Sequence, residues 1–221
     1  MSKEEWFRNT NWNKEIEEFF ELKLKRARSS HSKAQYLRIQ ASYLLDSSES
    51  LNNEKGIELM NRLIEAFPEE TFHTVCGKEQ LADYYLNKHD YQKAEQFYKD
   101  VTQHYHENNR SGTSGIADIK LSRTIFESRQ KEKFEEALTI ATTKFDKSNG
   151  NIILNDNKFY YAETLALLFK ETNRTEKAKK YANQALNLEA DKEPQFSRHK
   201  TVGIVKVSKD RINKLKEIVD E

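Results

Sequence analysis

Tyr91, Ala94, Tyr98, Val101 and Tyr105 recur at steps of three, four, three and four, the spacing of one face of an α-helix. Upstream, Leu81, Ala82 and Tyr85 form a second, shorter face, and only "NKHD" (residues 87–90) separates the two. Helices joined by so few residues run antiparallel, and neither buries its apolar stripe alone. Ala94 sets their approach: its small side chain admits the partner backbone, while Tyr85 and Tyr98 fill the space around it.

The pattern recurs. Ala166, Phe169, Ala178, Ala182 and Ala185 take the corresponding places in "YAETLALLFKETNRTEKAKKYANQALNLE". Phe134, Ala137, Ala141 and Phe145 do so in a weaker copy, with Ile125 where a small residue is expected. In a fourth copy Gly56 stands for the alanine and Pro68 follows twelve residues on. The small central residues at 56, 94, 137 and 178 are 38, 43 and 41 residues apart. A chain of 221 residues with two prolines and six glycines also lacks the turn residues that sandwiches and barrels need.

These offsets resemble the tetratricopeptide repeat, whose usual period of about 34 residues is shorter. The resemblance implies an all-α fold: a right-handed α/α superhelix, or solenoid, of about four degenerate helix pairs. An N-terminal capping helix and a short extended C-terminal segment plus helix complete it. Residues 1–221 are thus read as a single helical-repeat domain, with a cap (1–33), repeats (34–190) and a basic tail (191–221). Helices are expected near 12–28, 34–46, 54–67, 71–88, 90–106, 114–129, 131–146, 156–171 and 174–189, then an extended "VGIVKV" and a last helix from Ser208. "WFRNTNW", "KLKRARS", "YLRIQAS" and "FSRHKTVGIV" further resemble a group of bacterial tetratricopeptide-like proteins that brings no mechanism with it.

The net charge of +1 hides an asymmetry. Residues 46–70 carry seven acids against two bases, whereas residues 196–216 carry Arg198, Lys200, Lys206, Lys209, Arg211, Lys214 and Lys216 against Asp210. The lone Cys76 makes no internal disulfide, "MSKEEWF" has no apolar signal core, and no apolar run approaches the ~20 residues of a membrane span. A reduced, cytoplasmic protein is expected, without membrane contact.

No catalytic motif stands out, and neither enzyme activity, cofactor nor metal is expected. His104 and His106 diverge on a helix, and no Cys or carboxylate completes a ligand set with His89. "GTSG" (residues 112–115) lacks the Lys-Ser or Lys-Thr of a phosphate loop; Thr113 or Ser114 there suits a helix cap. Cys76 and His73 share a helix start with nothing to make a triad, so a buried structural cysteine is expected. Glu135 and Glu136 belong to a solvated face.

Trp12, Ile16, Phe20, Leu24 and Ala27 form the stripe of a capping helix. Trp6, off that stripe, is either a clamp on the terminus or an anchor for a partner. Projected onto a concave groove, the first helices of the pairs present Glu79, Asp83 and Asn87, then Ser122, Phe126 and Arg129, then Tyr160, Glu163, Leu167 and Lys170. The chaperone-binding branch of the family grips a peptide carboxylate with basic and Asn residues at such places. Glu79 and Asp83 stand here instead, so no carboxylate clamp is expected. The preferred function is a non-catalytic interaction module (adaptor, regulator or immunity-type inhibitor) that holds a protein or peptide in this groove. The alternative is nucleic-acid binding through the seven basic residues from Arg198 to Lys216, with Phe196 for stacking.

Overall fold

A computed structural model describes residues 6–221; regular structure among them is helical throughout, with no strand. The chain divides into two compact units, the first ending at Thr113 and the second running from Ser114 to Glu221.

The first unit holds α1 (Lys14–Arg26), α2 (Ser30–Leu45), α3 (Ser50–Ala66), α4 (Thr71–Asn87) and α5 (Tyr91–Glu107). Neighbours pair as α2 with α3 and α4 with α5, and the two first helices, α2 and α4, also touch. Side-chain caps start several of them: Asn13 accepts from Ile16 N at 2.9 Å, Ser29 from Ser32 N at 3.1 Å and Asp90 from Lys93 N at 3.2 Å. The Ser29 cap explains why α2 starts four residues before the expected position 34. At the α2/α3 turn, Asn53 Nδ2 donates to the carbonyls of Leu44, Leu45 and Ser47, so a side chain satisfies the open helix end.

The second unit holds α6 (Ala117–Glu127), a 3₁₀ turn (Lys131–Lys133), α7 (Phe134–Thr139), a π-helical turn (Ile140–Lys144), α8 (Phe145–Lys147), α9 (Asn155–Glu171), α10 (Thr175–Ala190) and α11 (Lys209–Asp220). Here α6 pairs with α7 and its π turn, α9 with α10, and α11 packs mainly on α10. The expected continuous helix over 131–146 is therefore broken into four segments. The expected extended piece is a turn at 201–203 followed by irregular chain, tucked in by buried Val205. Gln195 ties this stretch to the start of α9: its Oε1 accepts from Asn155 N at 3.0 Å and its Nε2 donates to Ile153 O at 2.8 Å.

Three pairs turn in the same way. His89, Arg129 and Asn173 adopt φ of 59°, 61° and 57°, and the following residue donates back to the carbonyl five before it. Asp90 N reaches Tyr85 O at 2.9 Å, Gln130 N reaches Ile125 O at 3.4 Å and Arg174 N reaches Phe169 O at 2.8 Å. This left-handed residue satisfies the last carbonyls of the first helix and reverses the chain. The central alanine follows His89 and Asn173 by five residues in each case, and follows Arg129 by eight because the 3₁₀ turn intervenes.

The small central residues lie at these pair contacts. Ala94 and Ala137 are fully buried and Ala178 nearly so. A Cβ on Gly56 would stand 3.0 Å from both Ala41 O and Leu45 N, which fixes the α2/α3 approach at backbone distance. Trp6 is buried, its ring centroid 5.4 Å from Phe20 and 4.7 Å from Tyr36; Trp12, half-buried, meets Phe20 edge-on at 5.4 Å. Phe20 thus holds both indoles. On α3, Lys55 and Arg62 pair with Glu17 and Glu21 of α1 and fix the capping helix there.

Candidate functional site

In the first unit the α2 and α4 faces meet around Arg38. Its Nη1 donates to Cys76 Sγ at 3.2 Å and its Nε to His73 Nδ1 at 3.4 Å. The His31 and His73 rings lie 4.6 Å apart, and Glu70 accepts from Ser30 Oγ at 2.5 Å and meets His31 Nδ1 at 3.2 Å. Burial, then the Arg38 charge, push His73 down to about 4, so the ring is neutral near pH 7. Burial pushes the Cys76 thiol up, and Glu79 and Asp83 reinforce this against Arg38, so the sulfur stays protonated. The cysteine is half-buried rather than enclosed. A neutral thiol and a neutral imidazole, each held by one guanidinium, serve to join two helices.

Of the expected groove residues on α4, Glu79 is buried at 5% exposure, and Asp83 accepts from Tyr98 Oη at 2.5 Å across the α4/α5 pair. Asn87 is exposed at the C-terminal end of the helix.

In the second unit the charged centre is Glu163 of α9, 2% exposed. Arg123 of α6 donates from Nη1 to Glu163 Oε2 at 3.1 Å and from Nε to Glu127 Oε1 at 2.6 Å. Arg211 of α11 donates from Nε to Glu163 Oε1 at 2.7 Å, and its Nη2 closes the fork on Oε2. Burial disfavours the Arg123 charge, but Glu163, Tyr160 and Glu127 raise its pKa above the ordinary value, so it stays a cation. The Arg123 guanidinium carbon lies 5.8 Å from the Phe126 ring centre and 5.9 Å from that of Tyr160. Phe126, Tyr160 and Leu167 are half-buried, and Lys170 Nζ donates to Glu221 Oε1 at 2.5 Å.

Two expected positions fall elsewhere. Ser122 is fully buried inside the α6/α7 pair, where its Oγ contacts Asp118 O at 2.9 Å and Ala137 O at 2.8 Å. Arg129 is exposed at the left-handed turn. Trp6, considered above as an anchor, lies within the aromatic cluster of its own unit. Among the basic residues, Arg198, Lys200, Lys206, Lys209, Lys214 and Lys216 are exposed, whereas Arg211 is engaged by Glu163.

Open volume lies away from these faces. A depression of about 480 Å³ beside α1 is floored by Leu24, Ala66 and Phe67. Another, of about 450 Å³, lies between α7 and α10, with Phe169 and Tyr181 in its wall and Arg174, Lys177 and Lys180 around it. Neither was legible from repeat offsets, because both depend on helices that are distant in sequence. Among the described residues, no three His, Cys, Asp or Glu side chains converge as a metal site, and no helix is long and apolar enough to cross a membrane. Protein-family models, curated proteins and solved structures offer no match to this chain.

Proposed function

We propose that this chain is a non-catalytic protein-interaction module of tetratricopeptide-like type, acting in the cytoplasm as an adaptor, a regulator or an immunity-type inhibitor of one protein partner. The observation that carries this reading is the recurrent helix pair with its shared left-handed turn at His89, Arg129 and Asn173. Stacked pairs of this kind expose extended faces for a partner. The charged groups on the inner helices support the same reading. Arg123, Glu163 and Arg211 hold helices together, while half-buried Phe126, Tyr160 and Leu167 offer contact area.

Affinity capture of the tagged protein from its host, with and without nuclease, tests the proposal. A stoichiometric protein that survives nuclease and is lost with Asn87→Arg on α4 or with Leu167→Glu on α9 supports the reading and assigns the face of that unit. Asn87 and Leu167 suit this test better than Glu79 and Asp83, since reversing a buried or hydrogen-bonded carboxylate would destabilise the unit. Recovery of no protein partner would overturn the reading.

Six exposed cations from Arg198 to Lys216 favour nucleic acid as the second reading. Binding through them would fall steeply with salt, with a log–log slope of about −0.7 to −0.9 per phosphate engaged. A flat salt response would exclude it.

A further inference from the structure

Residues Arg174, Lys177 and Lys180 bring three cations into the first turns of α10, and all three line the depression between α7 and α10. Glu176 stands in the same first turn, where an acid suits the positive end of the helix dipole, while Lys177 and Lys180 are like charges one turn apart. Glu135, the acid among the described lining residues, is paired with Arg174 at 2.8 Å. Lys177 and Lys180, both exposed, thus bring positive charge to the depression.

An aromatic pair lies among the polar and charged lining residues. Phe169 and Tyr181 stack with centroids 5.6 Å apart at 18°, and Leu138 lies beside them. Lys177 Nζ sits 5.4 Å from the Phe169 ring centre and Lys180 Nζ 5.8 Å from that of Tyr181, so the aromatic pair positions the cations as well. Across from them runs the π-helical turn Ile140–Lys144, whose Thr142 lines the same depression. Such turns interrupt an α-helix at a cost and recur at functional sites.

We propose that this depression is a docking site for an acidic protein segment, which sets carboxylates among Arg174, Lys177 and Lys180 and an apolar side chain against Leu138 and Tyr181. The proposal rests on the interaction-module reading and names the chemistry of its partner. Charge complementarity carries it: an incoming carboxylate is attracted by three cations and relieves the repulsion between Lys177 and Lys180. Free phosphate and single-stranded nucleic acid compete for the same cations, and displacement separates them from an acidic peptide.

The test is fluorescence anisotropy with a labelled peptide alternating Glu and Phe, titrated with the full chain. Saturable binding should weaken at least about tenfold in the Lys177→Glu/Lys180→Glu double variant, with circular dichroism unchanged. It should be lost when Gln replaces Glu in the peptide and persist in Lys209→Glu/Lys214→Glu, which reverses charges elsewhere in the same unit. Equal affinity for wild type and the α10 variant, or equal loss from the α11 variant, would overturn the site. Displacement by inorganic phosphate or a single-stranded oligonucleotide at concentrations matching unlabelled peptide would overturn the acidic-protein assignment. A captured host partner insensitive to Lys177→Glu/Lys180→Glu would refute this site and leave the module reading standing. Peptide binding at α10 without any captured host protein would do the reverse.

Discussion

Arg211 and Glu163 lie 48 residues apart and form a two-pronged contact, with Arg211 Nε 2.7 Å from Glu163 Oε1. The carboxylate is 2% exposed and also faces Arg123, so one acid joins α6, α9 and α11. Removing a partner from a buried ion group leaves the remaining charges desolvated and uncompensated.

Glu163→Gln should therefore cost about 3 kcal/mol, because it removes the carboxylate that two arginines share, whereas Arg211→Met should cost only about 1 kcal/mol, since Arg123 still balances the acid. Urea denaturation measures both. Amide exchange over residues 212–218 should accelerate in either variant as α11 loosens. Equal costs would mean that Glu163 does not couple the two arginines.

His73 makes stability depend on pH in a defined window. Its folded pKa of about 4 lies below the ordinary 6.5, so the unfolded chain binds more protons between these values. Stability from this group is complete above pH 6.5 and falls as pH drops towards 4, by at most about 1.4 kcal/mol per unit. Glu70, whose pKa is lowered from 4.5 chiefly by the Ser30 hydroxyl, adds its own loss of stability as pH falls below about 4.5. Urea midpoints between pH 4.5 and 7 should slope in wild type and flatten in His73→Phe. A slope unchanged by the substitution would assign the effect elsewhere.

Two helix glycines should respond differently to alanine. At Gly56 the new Cβ meets backbone at 3.0 Å, which cannot yield, so a net loss of about 1–2 kcal/mol is expected despite better helix propensity. At Gly77 it meets Met60 Sδ at 2.8 Å and Leu63 Cδ2 at 3.1 Å, side-chain atoms of which the methionine is flexible, so the net change should stay within about 0.5 kcal/mol. Thermal unfolding of the two variants decides the matter.

The two tryptophans should differ as well. Trp6→Ala should cost about 3 kcal/mol, and Trp12→Ala about half as much, because only Trp6 is buried against both Phe20 and Tyr36. Equal losses in urea melts would show that depth of burial is not what separates them.

Much of the helical order was legible in local pattern. The stripe from Tyr91 to Tyr105 gave α5, and the expected spans 71–88 and 156–171 match α4 and α9 to within a residue at each end. Helix starts were less visible where a side chain displaced them: Ser29 draws the start of α2 back to Ser30, and α3 begins at Ser50 rather than near 54. The 3₁₀ and π turns around α7 were not legible, since the stripe of Phe134, Ala137, Ala141 and Phe145 tolerates an extra residue in the backbone turn. Groove residues transferred poorly for another reason. A repeat offset states which face a residue occupies, but Ser122 and Glu163 show that such a face can be covered by a neighbouring helix.

The sequence by itself determined the helices, their pairing and the small residue at each pair contact, because these follow from side-chain volume at a period of about 3.6 residues and from short connections. Only the tertiary structure decided which charges are spent and which remain available. Glu163 gathers arginines from two other helices, Asp83 is tied to Tyr98, and Lys177 and Lys180 line an open depression. Ion pairing and open volume depend on distances between residues far apart in the chain, and those distances exist only once the helices have packed.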